Sequence, residues 1–390
     1  MALGTRTDCS SLASLEGFDD YLRKLRAATQ YNEILLEECG REICGAIWGQ
    51  SNPDISGIGV SIGYAIGMGL GLMFASVLLG VRQRRGSRWD FSQLVCLAGF
   101  EAFFSSAIYF GISLEIASIY TLVNKDFGIS TAGLGASEAE IVMAVSVVCI
   151  LPLLYPIALL PTRLHHPESE RQQPPKSAKD ISVKQENCRL ILFVLLSILF
   201  FYPFLSQCIH QWAPSRVGEG NGTEGETLVT IEEWTRVETV CFNSIERLSA
   251  AESKLMAGFE LASSIVIYCF TIWFGLGAGA RILATQDRAF GEERRITRVL
   301  LKSQRWVQRI WKTYSGVRVV LLLIPAVLGV PLLWYIFRLR EIQSAALDRV
   351  GVEYTGNEWG FGQVVGIVIF APVVTDMAFA AWAARSLLSR

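Results

Sequence analysis

Seven stretches of this chain remain apolar for about 20 residues or more, and that repetition restricts the fold more than any other feature. They run roughly over 57–81, 91–120, 139–161, 190–210, 257–280, 317–337 and 361–384. A helix needs about 20 residues to cross the ~30 Å hydrocarbon layer of a bilayer. Within that layer backbone groups must bond inside the segment, which makes helices the form for apolar runs of this length. The expected fold is all-α: a polytopic membrane helix bundle with about seven transmembrane helices. Composition agrees, with 51% apolar and 18% charged residues and a mean hydropathy of +0.37, where soluble domains carry about a quarter charged residues. The net charge of −1 argues against a nucleic-acid partner, which would need excess Lys and Arg.

Residues 1–56 are polar and lack the apolar core of a cleavable signal peptide, so the first span is expected to insert uncleaved. An odd number of spans places the termini on opposite sides. Segments 82–90, 162–189, 281–318 and 385–390 hold 22 Lys/Arg against 8 Asp/Glu, whereas the opposite segments hold 13 against 24. The positive-inside bias then predicts a lumenal or outside N-terminus and a cytoplasmic C-terminus. The expected layout is a lumenal segment 1–56, a transmembrane domain 57–384 and a cytoplasmic tail 385–390. The sequon Asn221-Gly222-Thr223 falls in the lumenal loop 211–256, which makes Asn221 the expected glycosylation site. The endoplasmic reticulum is the expected membrane.

The loops give placement and little chemistry. Segment 162–189, with His165, His166 and three prolines, reads as a flexible cytoplasmic linker. The His-His pair has no third ligand nearby, so no metal site is expected. Within 281–316, residues 294–314 alternate apolar and basic positions at helical spacing. That pattern suits a helix in the cytoplasmic interface contacting membrane lipid, or an extension packed on the bundle. On the lumenal side Cys39, Cys44 and Cys241 share an oxidising compartment, which permits Cys39 or Cys44 to bond Cys241. Cys96, Cys149 and Cys269 lie in spans and read as packing residues.

The acidic residues carry the functional signal. Four fall well inside spans, namely Glu101, Glu115, Glu260 and Asp376, and no Lys or Arg does; Glu140 and Arg318, each at the second position of its span, count with the flanks. Insertion scales put the cost of such a group near the helix centre at about 2.5–3.5 kcal/mol. A carboxyl there is expected to be neutral or to face a polar cavity. Counted from the flanking arginines, Glu101 and Asp376 come out in the middle of spans two and seven. Glu115 and Glu260 come out nearer the lumenal ends, where the bland reading is that they reach the interface. Glu101 and Glu115 are 14 residues apart, four turns, and therefore share a face.

A neutral carboxyl in a dry pocket is a proton donor for a substrate with no other handle, and a second carboxylate can take the proton back. On this reading Glu101 and Asp376 are the acid and its partner, with Glu115 and Glu260 as further members of the track. Aromatic faces stabilise a developing cation. Phe104, Tyr109, Tyr268 and Trp273 are the expected substrate contacts, although most aromatics in spans only pack. Gln363 is expected either to bond between helices or to touch a polar substrate.

Two segments, 52-NPDISGIGV-60 entering span one and 358-EWGFGQ-363 entering span seven, resemble a group of filamentous-fungal polytopic proteins. Some members are similar to the integral-membrane terpene cyclases of ascochlorin- and ascofuranone-type meroterpenoid pathways. The resemblance implies a lipophilic epoxyfarnesyl-aromatic substrate, protonation of its epoxide, ring closure, no cofactor, and other pathway enzymes in the same membrane. DDxxD, DxDD and NxxxDxxxD are absent from the sequence. Without the family, Asn52, Pro53 and Asp54 read as a turn and helix cap, and Gly57, Gly59, Gly63, Gly67, Gly69 and Gly71 as a face for close helix contact.

Two other classes compete. A proton-coupled transporter of a lipophilic metabolite would use the acidic track as a relay, but internal repeats are not evident. A seven-helix receptor suits the span count but not the missing E/DRY and NPxxY sequences. The ranking is cyclase, transporter, receptor.

Overall fold

The computed structural model describes residues 9, 38–48, 52–81, 87–124, 136–159, 176–212, 241, 248–290 and 315–388. Among these residues all regular structure is helical, and seven helical segments are long and apolar enough to cross a membrane. They are Pro53–Gly80, Phe91–Val123, Glu138–Leu159, Cys188–Ile209, Ala251–Leu276, Leu323–Arg349 and Phe361–Ser386. Each overlaps one of the seven apolar stretches.

A short helix α1 (Gly40–Trp48) precedes them. Span one joins α2 (Pro53–Ser56) to α3 (Ile58–Val81), and span two is α4 (Ser87–Asn124). Span three is α5 (Ala136–Ile150), a 3-10 turn at Leu151–Leu153 and α6 (Leu154–Leu159). Span four is α7 (Lys176–Leu199) with α8 (Phe201–Trp212), and span five is α9 (Ala250–Phe290). Span six is α10 (Ser315–Arg349), and span seven is α11 (Phe361–Val368) with α12 (Ala371–Leu388).

Proline explains where two spans break. Pro203 cannot donate to the carbonyl of Leu199, and α7 ends there; Pro372 cannot donate to that of Val368, and α11 ends there. Pro325 and Pro331 lie inside α10, which continues through both. Such prolines are tolerated in a bundle whose neighbours re-satisfy the freed carbonyls.

Span three is the hub. Its most apolar window is 94% buried, against 17% for span seven. It packs against spans two, five and six, while α11 lies along α3 and α12 along α4 at the edge of the bundle. Ser146, Cys149 and Tyr155 of span three are buried and therefore face protein.

The expected loops are partly helical. Residues 176–189 of the 162–189 linker belong to α7, residues 281–290 continue α9, and α9 begins at Ala250, inside the expected 211–256 loop. The His165-His166 pair, Asn221 and the amphipathic run 294–314 lie outside the described residues. Disulfides join Cys9 to Cys39 and Cys44 to Cys241. The second is one of the pairings left open above; the first involves a cysteine not considered there. Together they hold α1 and residue 241 at one end of the bundle. Trp48 Nε1 donates to the Cys241 carbonyl (3.3 Å), and Gln343 Nε2 of span six donates to the Trp48 carbonyl (3.0 Å).

Candidate functional site

The structure reorders the four carboxylates. Asp376 is exposed on the outer face of α12, beside Met377, which packs toward Gly99 of α4. Glu101 is partly exposed and pairs with Arg189 of α7 at 3.4 Å. The sequence boundaries had placed that arginine just outside span four, so the expectation of no basic partner fails for Glu101. Glu115 and Glu260 do not reach an interface: they are 0% and 3% exposed, within the helix core. They stand eight and nine residues from the nearer span ends, about 12–14 Å at 1.5 Å per residue. What the count missed is the direction in which each side chain points.

Glu115 of α4 faces span three. The Cys149 thiol donates to its Oε1 (3.4 Å), and Oε2 has no hydrogen-bond partner among the described residues. The Tyr64 phenol, which donates to the Ile55 carbonyl at 2.8 Å, lies in the electrostatic field of Glu115, Cys149 and Arg340. Tyr268 of α9 lies in the field of Glu115 as well. Glu260 of α9 accepts from Gln207 Nε2 of α8. The Tyr335 phenol of α10 lies in the field of Glu260 and Glu140. Neither Glu115 nor Glu260 forms an ion pair among the described residues. Spans one to six thus each contribute a polar group to this part of the bundle.

The expected aromatic contacts divide. Phe104 is fully buried with the Arg189 guanidinium 6.0 Å from its ring centre. Tyr268 is half-buried, stacked on Phe200 at 5.7 Å and edge-on to Phe204 at 5.3 Å. Trp273 is half-buried. Tyr109 is 59% exposed and faces away from the carboxylates' core, which removes it as an interior contact.

The two motif segments form a single joint. Asn52 caps α2 by accepting from Asp54 N at 3.0 Å. The buried Gln363 side chain accepts from Gly59 N at 2.9 Å and donates to the Glu358 carbonyl. Of its two open roles, the structure gives it the bond between helices. A Cβ on Gly63 would lie 2.5 Å from the Gly366 carbonyl oxygen, and one on Gly362 would lie 2.2 Å from Asp54 Oδ1. At Gly63 the obstacle is backbone, so only glycine permits the approach, whereas at Gly362 it is the Asp54 carboxylate, which a rotamer change can move.

Beside that joint opens a cleft of about 600 Å³, whose lining includes Arg340, Ser344, Asp348, Glu353, Tyr354 and Asn357. Arg340 is 5% exposed. It donates to Gly356 O (3.1 Å), Asn357 Oδ1 (3.3 Å) and Ser61 Oγ (3.4 Å), all neutral acceptors held by the two motif regions. The sequence reading missed Arg340 because apolarity fades at 337 while α10 continues to Arg349. It also passed over Gln207, whose polar side chain inside an apolar run was the available signal. Tyr64, Tyr335 and Cys149 carry no such signal, since their types are ordinary packing residues. Comparisons of the chain with protein-family models, with curated proteins and with solved structures find no match.

Proposed function

We propose that this chain is an integral-membrane terpene cyclase that opens a terminal epoxide by protonation and closes a ring on a lipophilic farnesyl-aromatic substrate. The observation that carries the reading is Glu115: a wholly buried carboxyl without a cationic partner among the described residues, with one oxygen unbonded and the other held by the Cys149 thiol. The acid role expected of Glu101 and Asp376 passes to Glu115, with Glu260 as the second carboxyl. In the step, the carboxyl gives its proton to the epoxide oxygen and the C–O bond breaks. An alkene then supplies the electron pair for the new C–C bond, and the resulting cation returns a proton to the carboxylate. The product is an isomer of the substrate. The aromatic groups Phe200, Phe204 and Tyr268 supply faces for the cationic stage.

The same proposal places the N-terminus in the lumen of the endoplasmic reticulum, supported by the Lys/Arg imbalance and by the two disulfides at the N-terminal end. Asn221 is the proposed glycosylation site. The test uses microsomes at matched protein level supplied with an epoxyfarnesyl phenol. Conversion to an isomer of equal mass by the parent, Glu101→Gln and Asp376→Asn, but not by Glu115→Gln, is the expected pattern. No conversion by the parent on several such epoxides removes the cyclase reading. A second buried carboxyl, Glu260, which accepts from Gln207 and has no ion-pair partner among the described residues, favours one alternative, a proton-coupled transporter; uptake driven by a pH gradient in proteoliposomes would identify it.

A further inference from the structure

We propose that the cleft beside the motif joint is a binding site for the head of an aminoalkyl phosphate, with its phosphate on Arg340 and its ammonium toward Asp348 and Glu353. A buried guanidinium without a counter-charge carries an uncompensated desolvation cost. Arg340 is only 5% exposed, and its acceptors, Ser61 Oγ, Gly356 O and Asn357 Oδ1, are all neutral. Its Nε has no partner, and neither has the buried hydroxyl of Tyr354; both residues line the same cleft. Buried donors left unbonded are uncommon in folded proteins, and two in one cleft are the donor set that a phosphate takes.

The rest of the lining selects among anions. Glu341 is engaged by Arg338 at 2.9 Å. Asp348 and Glu353 are exposed at the rim and have no ion-pair partner among the described residues. They repel a plain dianion and attract a head that carries its own ammonium. The lining continues past the end of span six at Arg349 to Glu353, Tyr354 and Asn357, so the cleft opens where that span leaves the apolar layer and phospholipid heads reside. A phospholipid and a soluble aminoalkyl phosphate share this chemistry. The site stands apart from the cyclisation reading, since Glu115 need not be an acid for the cleft to be occupied.

The experiment is calorimetric titration of the purified full chain in dodecyl maltoside. The probes are dihexanoylphosphatidylethanolamine, dihexanoylphosphatidylglycerol and O-phosphoethanolamine. The parent is expected to bind the ethanolamine lipid more tightly than the glycerol lipid. Arg340→Gln should weaken binding roughly tenfold or more, the scale of a charge-assisted bond. Asp348→Asn with Glu353→Gln should erase the preference between the lipids. Because Arg340 also ties Ser61 to Asn357, its loss can disturb the fold. Ser344→Trp, which fills the cleft and leaves those bonds intact, should abolish binding with an unchanged melting temperature. O-phosphoethanolamine binding as tightly as the lipid identifies a soluble ligand, and tighter lipid binding identifies a phospholipid. Failure of the parent to bind either ethanolamine probe, equal binding of both lipids, or full binding by Ser344→Trp overturns the proposal.

Discussion

Substituting Gly63 by alanine tests the joint between spans one and seven most directly. Its Cβ would stand 2.5 Å from the Gly366 carbonyl oxygen and 3.1 Å from the carbonyl carbon. Both obstacles are backbone, so no rotamer change relieves them. Overpacking of this kind costs about 1–3 kcal/mol. Alanine also gains about 1 kcal/mol of helix propensity over glycine, which would mask part of the loss in a single variant. Gly69 supplies the control, because it lies on the same helix and a Cβ there meets nothing within 4 Å. The propensity gain is common to both, so the difference between Gly63→Ala and Gly69→Ala isolates the clash. That difference should be about 1–3 kcal/mol, roughly 5- to 150-fold in the unfolding equilibrium constant. Gly67→Ala should fall between them, since its nearest neighbour is the Phe370 ring edge at 3.3 Å, which can yield. The assay is reversible unfolding in dodecyl maltoside micelles with rising dodecyl sulfate, followed by tryptophan fluorescence. If Gly63→Ala is as stable as Gly69→Ala, the close approach of spans one and seven is wrong.

Peptide mapping without reduction should recover Cys9–Cys39 and Cys44–Cys241. Cys241→Ser should lower the melting temperature, because the bond closes a 197-residue separation worth up to about 5 kcal/mol by chain entropy. Glu101→Gln should destabilise the bundle by leaving Arg189 of span four uncompensated, and Glu101→Gln with Arg189→Gln should recover part of the loss. A double-mutant cycle in the same micelles should return a coupling of about 0.5–3 kcal/mol. Gln363→Leu removes the acceptor of Gly59 N and should cost about 1–3 kcal/mol in the same micelle assay, the range for an orphaned buried donor.

The number and approximate boundaries of the long apolar helices were legible in the sequence because each depends on distance along one chain. Apolar run length reports crossing a membrane, and 1.5 Å per residue converts position into depth. The cap at Asn52 and the small-residue face of span one were legible for the same local reason. The order of helices around the bundle was not. Spans three and seven have similar mean hydropathies, 2.5 and 2.1, yet one is the hub and the other the rim. Lipid and protein are both apolar surroundings, so an apolar side chain does not record which of them it faces.

That ambiguity decided the site. Asp376 and Glu115 are both single carboxylates in apolar spans, and only packing turns one outward and the other into the core against Cys149. The neutralising role of Arg189, the buried charge of Arg340, and the meeting of 52–60 with 358–363 all join residues far apart in the chain. Local pattern determined how many helices are long and apolar enough to cross a membrane. Tertiary packing determined which polar groups face protein, because that depends on neighbours hundreds of residues away.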